Sequence, residues 1–79
     1  MIRVFSKPNC PYCDMAKAWL NKNSIAFEEV NVMTDNKYKI FLVEKGLRTV
    51  PQIFNDEELL VEGGWTGLQK TDPDTLRSI

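Results

Sequence analysis

Apolar residues come in short runs separated by polar stretches, and the spacing inside each run changes along the chain. Ile2-Arg3-Val4-Phe5 is brief and largely apolar, as a buried parallel strand would be. Met15, Ala16, Trp19 and Leu20 then recur at steps of three and four, which predicts a helix over 11–21. Pro11 suits its first turn, and Asn21-Lys22-Asn23-Ser24 ends it. Residues 25–32 read as a second strand. Ile25 and Phe27 share one phase and Val30 and Val32 the other, so a kink or bulge near Glu28-Glu29 is expected. Thr34-Asp35 offers an N-cap for a helix over 36–45, with Tyr38, Phe41 and Leu42 as its buried stripe and Gly46 after its end. Gln52-Ile53-Phe54 and Glu58-Leu59-Leu60-Val61 flank Asn55-Asp56-Glu57, which predicts an antiparallel hairpin. Gly63-Gly64 breaks the chain. Trp65, Leu68, Leu76 and Ile79 then suggest helical burial, with a final helix restarted at Pro73 under a Thr71-Asp72 cap.

The element order is therefore β-α-β-α-β-β-α. The strand–helix–strand crossover makes the first two strands parallel, and the hairpin adds an antiparallel edge. The predicted class is an α/β sandwich, with a four-stranded mixed sheet and three helices.

Length and charge narrow the options. Seventy-nine residues suit one domain, 1–79, near the lower limit for a self-sufficient core. A net charge of −1 without like-charge blocks leaves no nucleic-acid footprint. No apolar run approaches the ~20 residues of a membrane span. The N-terminus lacks the apolar segment of a secretory signal, which places the protein in the cytoplasm. No spare apolar stripe is evident, so a monomer is expected.

The chemistry concentrates in Cys10-Pro11-Tyr12-Cys13, which holds the only two cysteines. A C-x-x-C at a strand-to-helix junction reads as a dithiol/disulfide redox pair. Cys10 falls at the N-terminus of the first helix, where unpaired N–H groups and the helix dipole favour a thiolate. Lys7 adds positive field. Cys10 is thus the expected nucleophile, and Cys13, one turn deeper, the resolving thiol. With no histidine and no third cysteine, a four-ligand zinc site is not expected, and no metal or tightly bound cofactor is assigned. The absence of histidine also removes any Ser-His-Asp set. Rival readings of the pair are a structural disulfide and an iron–sulfur cluster shared between two chains.

Three segments together resemble the glutaredoxin family of the thioredoxin fold. Lys7 with Cys10-Pro11-Tyr12-Cys13 matches its active-site segment. Thr49-Val50-Pro51-Gln52-Ile53-Phe54 matches the segment whose proline is cis in that fold. Gly63-Gly64 matches the double glycine before the last helix. The resemblance implies a dithiol oxidoreductase that reduces protein disulfides and is re-reduced by glutathione. It implies a substrate and glutathione surface of Lys7, Tyr12, Thr49, Val50, Pro51, Gly63, Gly64 and Trp65. In it the Val50 backbone would pair with an extended substrate. Arg48, Lys37 and Lys39 have two readings, as partners of a ligand carboxylate or as solvated charges.

One segment departs from that pattern. Glutaredoxins usually carry two acidic or polar residues after the double glycine, which bind the γ-glutamyl end of glutathione. Here Trp65-Thr66-Gly67-Leu68 follows instead. It is similar to the W-S-G-F segment of the glutaredoxin-like hydrogen donors of ribonucleotide reductase, which draw electrons from thioredoxin reductase. That likeness implies ribonucleotide reductase as a client and thioredoxin reductase as the alternative electron source. A cluster carrier or a non-catalytic binding module is the reading from another class.

Overall fold

The computed structural model describes residues 1–79. Strands β1 (Ile2–Ser6), β2 (Glu28–Asn31), β3 (Gln52–Asn55) and β4 (Glu58–Val61) form one sheet in the order β2-β1-β3-β4. β1 pairs parallel with β2 and antiparallel with β3, and β4 closes the hairpin. Helices α1 (Pro11–Lys22) and α2 (Asn36–Glu44) follow β1 and β2, and α3 (Gly64–Gln69) and α4 (Pro73–Arg77) follow the hairpin.

Alternation along the central strands divides the core in two. Val4 and Ile53 face one side, where Ala16 and Leu20 of α1, Leu68 of α3 and Leu76 of α4 pack on them. Phe5 and Phe54 face the other, against Val30, Val32 and Leu42. Phe41 of α2 stacks on Phe5 at 5.5 Å and lies 5.2 Å from Phe54. Three helices thus cover one face and α2 the other. A strand buried on both faces reads as a continuous apolar run, as β1 does.

That division explains two departures from expectation. No bulge interrupts β2, whose pairing runs unbroken from Arg3 opposite Glu28 to Ser6 opposite Asn31. Ile25 and Phe27 differ in phase from Val30 and Val32 because they pack on opposite faces. The register shift falls instead between Ile53 and Phe54, against β4. β2 also begins later than expected, since the Ile25 N–H donates to the Leu20 carbonyl at the end of α1 (2.9 Å).

The C-terminal stretch makes two helices rather than one. Pro73 has no N–H to continue α3, and Asp72 caps a new helix by accepting the Asp74 N–H at 3.0 Å. Leu68 and Leu76 still reach the same core cluster. Ile79 does not: α4 ends at Arg77 and leaves it 48% exposed. Met15, on the solvent side of α1, is likewise exposed.

Candidate active site

Cys10 is the N-cap of α1 and Pro11 opens its first turn. The Cys10 Sγ takes the role a serine or aspartate oxygen plays at other caps, accepting the Cys13 N–H at 3.2 Å. Cys10 and Cys13 are joined as a disulfide with their Cα atoms 5.2 Å apart. Cys13 is fully buried, while Cys10 keeps 6% of its surface. A thiolate on Cys10 would therefore sit against an N–H donor at the positive end of a 12-residue helix.

The wall facing Cys10 is the loop before β3. The Val50–Pro51 peptide bond is cis, and the Val50 carbonyl oxygen lies 4.0 Å from Cys10 Sγ. Gln52, buried at the start of β3, holds this loop by donating from Nε2 to the Thr49 carbonyl (2.9 Å) and hydroxyl (3.3 Å). Gln52 carries no role that its place in the matching segment alone reveals. Its function becomes visible only when the strand turns its side chain back on the loop.

Two hollows meet at this wall. One, of about 460 Å³, is lined by Tyr12, Thr49, Val50, Pro51, Gly63, Gly64, Trp65, Thr66 and Gln69, and no charged side chain borders it. Gly64 lies so close to the wall that a Cβ there would stand 2.6 Å from the Pro51 carbonyl oxygen. One turn on, Gly67 packs against the Glu62 carbonyl, which a Cβ there would overlap. These two close approaches seat α3, with Trp65 both packed against the core and bordering the hollow.

The second hollow, of about 680 Å³, lies towards α2. Lys7 lines it, with Lys39, Arg48, Thr49 and Val50. Of the candidate residues, Tyr12, Pro51, Gly63, Gly64 and Trp65 thus border the first hollow, Lys7 the second, and Thr49 and Val50 both. Lys37 joins neither; its Nζ lies over the Tyr38 ring at 5.2 Å. Thr66, Gln69, Met33 and Val43 border the hollows without having been expected there.

A third polar group lies away from both hollows. Glu29 of β2 accepts from Ser6 Oγ at 2.8 Å and Lys17 Nζ at 2.6 Å. The Lys17 hydrogen bond, then that of Ser6, holds the Glu29 carboxyl below the usual carboxylate range. The Glu29 hydrogen bond in turn raises the Lys17 ammonium above its ordinary value.

A disulfide between neighbouring turns of one helix start, facing a cis proline across an open wall, belongs to a thiol–disulfide oxidoreductase. The chain is a member of the glutaredoxin family, whose model, described as Glutaredoxin, matches residues 2–60. It is 39% identical over 57 residues to the glutaredoxin-like protein NrdH of Lactococcus lactis subsp. lactis (strain IL1403), covering 72% of this chain and 79% of that one. It is 32% identical over 72 residues to glutaredoxin 3 of Escherichia coli (strain K12), covering 90% and 84%. The crystal structure of glutaredoxin 1 from Francisella tularensis, complexed with cacodylate, superimposes with a TM-score of 0.74 at 31% identity, covering 99% of this chain and 96% of that one. No helix is long and apolar enough to cross a membrane.

Proposed function

We propose that Cys10 attacks a disulfide in a protein client and that Cys13 resolves the product. The Cys10 thiolate bonds to one client sulfur and expels the other as a thiolate. The Cys13 thiolate then attacks Cys10, closing the 10–13 disulfide and releasing the second client thiol. The client gains two electrons and the protein's dithiol loses them. The observation that carries this reading is the Cys10 sulfur at the α1 N-cap, accepting the Cys13 N–H, with Cys13 fully buried behind it.

Glutathione then restores the dithiol, two molecules per cycle. Lys7, Thr49, Val50, Pro51, Gly63 and Gly64 border the hollows on either side of Val50, which supports a tripeptide laid along it. A second reading, re-reduction by a thioredoxin reductase, is favoured by one specific observation. The hollow beside Trp65 offers no charged side chain to the zwitterionic γ-glutamyl end of glutathione. The client by this route is a ribonucleotide reductase, and the work suits a reducing compartment such as the cytoplasm.

Turnover of a small disulfide in two parallel systems tests this. One contains glutathione, glutathione reductase and NADPH; the other contains thioredoxin reductase and NADPH. Activity with glutathione alone supports the first electron source, and activity mainly with thioredoxin reductase supports the second. A folded protein silent in both contradicts the exchange reading, and weight moves to cluster carriage or binding.

A further inference from the structure

The hollow towards α2 collects charge that nothing in the chain neutralises. Of its ten lining residues, Lys7, Lys39 and Arg48 are cationic and none is acidic, on a chain of net charge −1. None of the three takes part in the chain's ion pairs, which use the N-terminus, Lys17 and Arg77. The same hollow is apolar beneath. Val32 and Leu42 form a buried floor, and Met33 and Val43, lining the same hollow, are 57% and 59% exposed. Exposed aliphatic surface ringed by polar groups marks an interaction site. Here the ring has one sign, which selects an anionic partner.

This groove reaches the neighbourhood of the reacting sulfur through Val50. Val50, whose carbonyl lies 4.0 Å from Cys10 Sγ, lines it, and so does Lys7, three residues before Cys10. A chain laid along Val50 as an added strand would send alternate side chains towards the groove. Glutathione laid there has one carboxylate to offer and no aliphatic side chain, so it leaves Met33 and Val43 uncovered.

We infer that this groove seats the segment of a protein client next to its reactive disulfide, and that the segment carries an aliphatic side chain flanked by carboxylates. The inference rests on the client-reducing reading above. The aliphatic side chain covers Met33 and Val43, and the carboxylates meet Lys7, Lys39 and Arg48. The cations act mainly on encounter rate and selectivity, because exposed ion pairs are individually weak and screened by salt. The aliphatic contact supplies the remaining affinity.

Binding decides the matter without any exchange chemistry. Two fluorescent, cysteine-free peptides would be titrated against the protein and read by anisotropy. Both carry a leucine, flanked by glutamates in one and by lysines in the other. The acidic peptide should bind about tenfold more tightly at low salt, and raising the salt should erode the difference. Val43→Glu, a change at an exposed position, should remove most of that preference. It should leave the melting temperature as in the parent, since Val43 is 59% exposed. Equal affinity for the two peptides overturns the inference, as does a preference that survives Val43→Glu. Exchange is read separately with the small disulfide. An acidic preference in a protein that reduces nothing would keep the groove and remove the client-reducing reading. Reduction without any preference would do the reverse.

Discussion

On one side of Val50 the surface is cationic and aliphatic; on the other it carries no charge. The difference comes from the elements behind each side. α2, with the loop after it, brings Lys39, Val43 and Arg48 to the cationic groove, and the turn after β2 brings Val32 and Met33. The uncharged hollow is built from backbone pressed against backbone, at Gly64 and Pro51, with Trp65, Thr66 and Gln69 from a helix that supplies no charge. A dithiol that cycles must meet an oxidised client and then a reductant. Two walls of unlike chemistry let a protein client and a protein reductant meet different surfaces beside one sulfur, while glutathione laid along Val50 would touch both.

The largest effect expected on this contrast removes what the two faces share. Cys10→Ser should lower turnover by on the order of 10³-fold or more with either reductant, since no other thiol is placed to attack. Peptide binding in the cationic groove should persist. Next comes Gly67→Ala, which drives a methyl into the Glu62 carbonyl and must displace α3. A loss of about 3 kcal/mol in denaturant unfolding is expected. The uncharged face should suffer while the cationic one, carried by α2, keeps its peptide. Trp65→Ala is milder. If the uncharged face meets the reductant, kcat/KM towards the preferred reductant should fall about tenfold, with the acidic peptide's affinity unchanged. Equal losses on both would show that the faces are not separate.

The smallest effect is a control on the Ser6–Glu29–Lys17 group, which lines neither face. Glu29 is held below its ordinary value, so its contribution to stability is present above the unfolded carboxylate pKa. It is lost as pH falls through the folded one. Lys17 is raised, so its contribution is complete below the unfolded lysine value and fades only as pH rises past the folded one. Glu29→Gln should melt slightly below the parent at pH 7, and the gap should close below about pH 4. Peptide preference and turnover should not move.

Much of this was legible because the signals were local. The C-x-x-C sits in four consecutive residues, the Asp35 and Asp72 caps lie beside their helices, and the hairpin turn separates its own strands. The opposite phases of Ile25/Phe27 and Val30/Val32 were visible too. Their cause, a sheet covered on both faces, needed α2 and α1 in place. What was hidden is what distant segments make together. Met33 and Val43 become groove only when the turn after β2 and α2 flank the loop before Val50. The necessity of Gly67 depends on where the Glu62 carbonyl lands. The pairing of Glu29 was hidden because its partners, Ser6 and Lys17, lie on two other elements.

The central claim is that Cys10 attacks and Cys13 resolves. The most direct test mixes pre-reduced Cys13→Ser and, separately, Cys10→Ser with a disulfide-bearing client peptide, followed by mass spectrometry of the intact protein. Cys13→Ser should accumulate one peptide as a stable mixed disulfide on Cys10, and Cys10→Ser should remain unmodified over the same interval. Equal trapping in both variants, or trapping on Cys13 alone, would contradict the account.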